Sequence, residues 1–386
     1  MKQDILSSLK KELENSFGRK IISSRDCNQM AEDISQKTGE SVNANTLRRF
    51  FGLVKAEYPP SSSTLTILSR YCGFNSIEEI KNLATNGDPE ININKEEVLR
   101  YMVSLFKNTL VSGSQERTFY PLVEQTIVFL ERNPSLIDRF QREIARTATG
   151  QYYYYEKLPN IDRLGGYYGD GLRHYLREKN TDEGKLFAHA MLVFRHWLTK
   201  NKEQLMHHMS EIAAIVPASN VPYHILGRLI AARLYNAQVK NESIDNILAE
   251  AKRYHAGIIA RREDSAFSFP DFELIICEAL LLTGHYDEGA EYIWHGKTYL
   301  STSGQDKNTL FNLWEDFASL RKDRKKTLSK GIPDSLGFYN SFSKKYNTII
   351  KLLSTGTLKS KNLARGEQLN NLVKETGYKR LLTLIT

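Results

Sequence analysis

Residues 272–292 read FELIICEALLLTGHYDEGAEY. An apolar segment runs from Phe272 to Leu282 and stops at Gly284-His285-Tyr286, and a second segment opens with the small residues Gly289 and Ala290. Glycine closes helices readily because it adopts a left-handed backbone without a Cβ penalty. Small residues early in the next segment let two helix axes approach closely. The stretch therefore reads as a pair of antiparallel helices. Outward from it the same pattern recurs, with pairs expected to begin near Asp182, Pro222, Pro270 and Lys307, at spacings of 40, 48 and 37 residues. Helical periodicity also covers Glu96–Leu110, Pro121–Glu131 and Ser135–Thr147, and returns in the last segment, Glu367–Leu384.

The first 84 residues have a finer texture. A helix is expected from about Gln3 to Phe17, with Ile5, Leu6, Leu9 and Leu13 on one face and Gly18 as its stop. A second opens near Ser24, where Asp26 with Gln29 suggests a capping box. Cys27, Met30, Ala31 and Ile34 follow at helical spacing before Gly39. Asn43 is placed to cap a third helix, with Leu47, Phe50 and Phe51 inward and Asn45, Thr46, Arg48 and Arg49 outward. A fourth begins at Ser63 or Thr64 with Leu65, Leu68 and Tyr71 inward, and a short fifth begins at Ser76. Residues 85–95 are polar and turn-rich, and read as a linker. Twelve positions separate Ala31 from Asn43, so either the second helix is long or the turn is an extended loop.

Two resemblances follow from these residues. Residues 272–292 resemble a tetratricopeptide unit, although the spacings exceed the usual 34 residues. Such a likeness implies a right-handed α-solenoid whose concave groove takes peptides or proteins. The segment Val42–Phe50 is similar to the recognition helix of the phage-repressor (Cro-type) helix-turn-helix family, and Thr64–Ile80 to that family's closing helices. The resemblance covers residues 24–82. It implies that Asn45, Thr46, Arg48 and Arg49, preceded by Asn43, face the major groove, where Arg suits guanine and Asn suits adenine. Lys37 and Lys55 would add phosphate contacts.

Charge is distributed unevenly. The chain of 386 residues carries a net +8, yet Arg321–Arg365 alone holds twelve Lys or Arg against two Asp. Residues 1–84 hold twelve basic and ten acidic side chains, so the basic character lies towards the C-terminus. That basic block, interleaved with Phe338, Tyr339, Phe342 and Tyr346, reads as a solvated face, with nucleic acid or an acidic partner as the other possibility.

Chemistry-bearing motifs are scarce. The run Tyr152–Tyr155 and the Gly-rich Gly165–Gly171 make Tyr153, Tyr155, Tyr167 and Tyr168 a candidate ligand or partner surface, with plain core packing as the alternative. The glycines do not have phosphate-loop spacing. His207-His208 with Glu211 lacks a third ligand and reads as a solvated helix face. No catalytic residue, metal site or cofactor is assigned. Cys27, Cys72 and Cys277 are too scattered for a disulfide framework, and neither a signal peptide nor a membrane span is evident, which points to the cytoplasm.

The expectation is thus an all-α chain: a helix-turn-helix-like head over residues 1–84, a linker over 85–95, and a tetratricopeptide-like body over 96–386 ending in a capping helix. The resemblance to peptide-sensing regulators implies a homodimer that binds double-stranded DNA and responds to a peptide, protein or small molecule. The competing reading is a protein-interaction scaffold whose head is a docking module.

Overall fold

The computed structural model describes residues 2–55, 60–72, 74, 95–109, 116–262, 269–300, 308–322, 342–354 and 363–385. Among them the protein is all-α, with no strand. The chain divides into two compact units, residues 1–98 and 99–386. Residues 75–94, which hold the expected fifth helix and nearly all of the expected linker, lie outside the described residues.

In the first unit α1 spans Lys2–Phe17, α2 Ser24–Thr38, α3 Ala44–Phe51 and α4 Ser62–Tyr71. Gly18, Gly39 and Gly52 follow the first three helices with φ of 83°, 70° and 80°, a conformation that glycine alone adopts at little cost. Leu9, Leu13, Cys27, Met30, Ile34, Leu47, Phe50, Leu68 and Tyr71 close one core. The capping box of α2 differs from expectation. Ser23 is the cap and Asp26 sits three residues inside, so Asp26 answers the Ser23 amide rather than heading the helix itself.

The next helix, α5, spans Lys95–Asn108 and belongs to the second unit from Leu99 on; α6 spans Glu116–Arg132, α7 Ile137–Ile144 and α8 Tyr167–Glu178. Between α7 and α8 lies a π-helix, Gly150–Lys157, and a 3₁₀ turn, Ile161–Arg163. The pairs follow: α9 Asp182–Leu198 with α10 Lys202–Ile212, α11 Tyr223–Lys240 with α12 Asp245–Arg262, and α13 Asp271–Thr283 with α14 Tyr286–Leu300. Then come α15 Asn308–Lys322, α16 Lys344–Ser354 and α17 Leu363–Thr376, closed by a 3₁₀ segment, Lys379–Ile385. Gly284 turns α13 into α14 with φ 94°. Gly289 lies so close to Leu281 that a Cβ would meet that side chain at 2.7 Å, the close approach its size allows.

The first helices of successive pairs pack side by side, α9 on α11, α11 on α13 and α13 on α15. Phe194, Trp197 and Tyr235 stack where α9 meets α11, with Phe194 and Tyr235 rings 5.1 Å apart and nearly parallel. The C-terminal segment does not extend this row. It returns to the start of the unit, where the Asp162 carboxylate accepts the Lys345 and Tyr346 amides at 2.9 Å each and so caps α16 from a distant part of the chain. Tyr378 donates its hydroxyl to the Ile161 carbonyl, and Arg380 donates to the Trp197 carbonyl at 2.9 Å. Tyr346 touches three of the first helices: its ring lies 6.1 Å from Phe194 and 6.5 Å from Trp314, and its hydroxyl donates to Glu278 at 2.6 Å. The first helices therefore carry the chain's own α16, which a peptide would have to displace to lie there.

All three cysteines are free. Cys27 and Cys277 are buried, and burial pushes the Cys72 thiol up to about 11 and the Cys277 thiol well above its ordinary range. Because the thiolate is the reactive form, none of them should react promptly with an aromatic disulfide reagent at pH 8. Denaturant should then release all three together. A fast reaction of the folded protein at Cys27 or Cys277 would contradict this packing.

Candidate functional site

The exposed face of α3 is built from local rules. α2 runs fifteen residues, to Thr38, so only residues 39–43 separate it from α3. Of the two possibilities for the wide Ala31–Asn43 interval, a long second helix is the one found. Asn43, extended at φ −66° and ψ 133°, accepts the Asn45 amide at 2.8 Å and starts α3 as expected. Leu47 and Phe50 are buried and Phe51 half-buried, while the Lys10 ammonium lies 5.6 Å from the Phe50 ring centre.

That anchoring leaves Asn43, Asn45 and Arg49 exposed, while Thr46 and Arg48 are half-buried. Arg48 is not free. Its guanidinium donates to Asn45 Oδ1 at 2.5 Å and to Asn28 Oδ1, on α2, at 2.9 Å, and its Nε is buried without a partner among the described residues. It therefore ties α3 to α2 and fixes the amide of Asn45, a positioning role rather than the outward reach expected. Asn28 went unnoticed in the sequence because its partner is twenty residues away and neither residue type signals the pairing. Arg25, exposed three positions before Asn28, lies on the same face of α2. Lys37 is exposed but pairs with Asp33 at 2.9 Å and lies over the Tyr71 ring, and that hydrogen bond holds the Asp33 carboxyl below its usual range. Lys55 is exposed beyond the end of α3.

No family model, curated protein or solved structure matches this chain. The candidate sites rest on their own geometry.

The tyrosine-rich segment requires a correction. Tyr153, Tyr155 and Tyr168 are buried, at 1%, 0% and 0% exposure, and cannot form a partner surface. They pack the core instead. Tyr155 donates to the Gln141 carbonyl at 3.0 Å, and Tyr168 donates to the Tyr155 carbonyl at 2.6 Å. Tyr167 is half-buried and donates to Glu131 at 3.2 Å. Gly169 and Gly171 are required by packing, since a Cβ there would stand 2.2 Å from the Leu164 carbonyl and 2.4 Å from the Gln141 amide.

His207-His208 gains neighbours that the sequence did not show. His208 Nδ1 lies 3.1 Å from His189 Nδ1, and the His208 ring stacks on His196 at 5.3 Å. No group of three or more ligands suited to a metal occurs among the described residues. Burial pushes the His208 imidazole down to about 3 and His196 down to about 4, with His189, His207 and Arg195 adding to the effect on His208. A histidine whose folded value lies below its unfolded value of about 6.5 favours the unfolded, protonated chain as acid is added. Its stabilising share is complete above that unfolded value and is lost as the pH falls towards the folded one. Relative to the native chain, His208→Gln should lose less stability between pH 6.5 and 4, measured as the urea midpoint at each pH. Equal or steeper loss in the variant would refute the assignment.

Of the basic block, residues 323–341 and 355–362 lie outside the described residues. Lys345 pairs with Glu375, and the Arg321 guanidinium lies 5.1 Å from the Phe317 ring centre. No helix among the described residues is long and apolar enough to cross a membrane.

Proposed function

We propose that the protein is a sequence-specific DNA-binding regulator, acting as a homodimer, in which the helical body responds to an effector. The observation that carries this reading is the face of α3. A five-residue turn after a long α2 delivers a helix whose leading residues Asn43 and Asn45 and the following Arg49 are exposed. Asn45 is held in place by Arg48 and Asn28. An exposed Asn and Arg one helical turn apart, with the Asn already oriented, form a chemistry that reads base edges bidentately. Arg25, Lys55 and the N-terminus of α3 supply donors for phosphate oxygens. Two copies are part of the reading, because residues 1–84 carry only a small positive excess. A pair of heads doubles the phosphate contacts and reads two half-sites about one DNA turn apart.

Selection of fragments of its own genome by the full chain tests the reading directly. One sequence class should be enriched, and affinity for it should fall steeply and linearly on a log scale as salt rises. Recovery of no sequence above random duplex would leave the α3 face as a docking surface for a protein and remove the regulator reading.

A further inference from the structure

The second unit contains a cavity of about 110 Å³, walled by the end of the π-helix, the first turns of α11, the start of α13, and parts of α15 and α16. Part of its lining is apolar, including Leu158, Phe269 and Trp314. The rest is charged, and the charges are incompletely bonded. Arg228, with a side chain 12% exposed, has the Glu278 carboxylate at 3.5 Å as its polar contact, although a guanidinium offers five N–H donors. Glu156 is buried. Its Oε1 accepts Tyr175 and Lys179 at 2.7 Å each, while among the described residues its Oε2 has only the His224 ring, at 3.9 Å. His224 Nε2 is buried with no hydrogen-bond partner among the described residues. Asp271 Oδ2 holds Lys157 at 2.6 Å, and no hydrogen bond to its Oδ1 is made among the described residues.

These groups sort by chemistry. Burial pushes His224 down to about 3, so it is neutral at pH 7, and burial raises both Glu156 and Glu278. Ionisable groups perturbed by burial and gathered in a partly apolar cavity are a feature of binding sites. A buried polar group left short of a partner carries a desolvation cost that a bound molecule can recover. Glu156 and Lys157 also end a π-helix, a rare backbone form that recurs at functional sites.

We propose that this cavity binds a small zwitterion, a free α-amino acid, whose carboxylate meets Arg228 and whose ammonium meets Glu156 and Asp271. A purely anionic ligand would offer no donor to Glu156 Oε2 or Asp271 Oδ1, and a purely cationic one would face the guanidinium. The volume is below the roughly 150 Å³ that admits benzene in an apolar cavity, so the side chain is small, of the glycine, alanine or serine class. Tyr346 and Asn347 of α16 form one wall, so the ligand would bridge the C-terminal segment to the π-helix. The site names an effector class under the regulator reading, but its binding is measured without DNA, so either proposal can fail alone.

Calorimetric titration and thermal melting of the full chain with each free amino acid provide the test. Acetate, ethylamine and inorganic phosphate serve as single-charge controls. One or more small amino acids should raise the melting temperature at about 10 mM and bind at least about tenfold more tightly than any control. Asp271→Asn keeps the shape of its side chain and should weaken binding about tenfold or more, and Arg228→Met about a hundredfold. If Arg228→Met does not fold, Asp271→Asn carries the comparison by itself. Absence of binding by every amino acid would overturn the proposal. So would acetate or phosphate binding as tightly as an amino acid, or native affinity in Asp271→Asn.

Discussion

A chain ending at residue 341 is expected to lose the fold of its larger unit. The segment from Phe342 onward places Phe342, Tyr346, Ile349, Ile350, Leu353, Leu369, Val373, Tyr378 and Leu381 in the same core as α9–α15. Full burial of one such side chain contributes about 1.5–3 kcal/mol. Their combined loss matches or exceeds the 5–15 kcal/mol by which a domain is typically stable. The loss is also not peripheral. Removal of α16 exposes Phe194, Trp314 and Glu278, which Tyr346 covers, and takes from the half-buried Asp162 carboxylate the two amides it accepts. Circular dichroism and size-exclusion chromatography of the truncated chain should show aggregation or loss of cooperative melting. A truncated chain that melts cooperatively near the native temperature would show that α16 is dispensable. Tyr346→Ala probes the same contacts more gently and should cost about 3–5 kcal/mol, by analogy with other large aromatic truncations in cores.

The second large effect concerns α3. Under the regulator reading, Asn45→Ala with Arg49→Ala should reduce affinity for the selected sequence by about 10²–10⁴-fold, since each bidentate base contact is worth roughly 1–3 kcal/mol. Both side chains are exposed, so the melting temperature of the variant should match that of the native chain. Arg48→Ala should behave differently. It breaks the bridge between Asn45 and Asn28, so it should lower both head stability and DNA affinity, and Asn28→Ala should reproduce part of the affinity loss. Equal affinity of Asn45→Ala/Arg49→Ala and the native chain would end the base-reading assignment. The order of effects also separates reading from positioning, because a charge lost from Lys55 should weaken binding uniformly across sequences.

Much of the local order was legible in advance. Asn43 as a cap, Gly18, Gly39 and Gly284 as stops, and Leu47 and Phe50 as the inward face of α3 follow from rules that act over three or four residues. The pair starts near Asp182, Pro222, Pro270 and Lys307 fall within one residue of α9, α11, α13 and α15. What misled was anything whose meaning depends on the other side of the chain. Pro121 reads as a helix start, yet α6 begins at Glu116, because Phe119, Tyr120, Val123, Ile127 and Leu130 bury one face across the proline. Tyr153, Tyr155 and Tyr168 read as a candidate surface, with core packing as the alternative. Their burial decides for the core, with the hydroxyls of Tyr155 and Tyr168 directed to the carbonyls of Gln141 and Tyr155 and the Tyr153 ring packed against Phe119 and Tyr120.

The helix-pair reading of residues 272–292 was determined by the sequence alone, since glycine stops, small residues at close approaches and apolar periodicity are properties of neighbours in the chain. The sequence likewise determined the capped helix that carries Asn45 and Arg49. Tertiary structure decided the rest. Hydrophobic burial has no direction along the chain, so nothing in residues 342–385 announced that they would return to Ile161 and Trp197 and cover the first helices of the pairs. The cavity has the same origin. Glu156, His224, Arg228, Asp271 and Glu278 are ordinary side chains in sequence, and only the fold gathers them round one cavity and leaves His224 Nε2 buried there without a hydrogen-bond partner among the described residues.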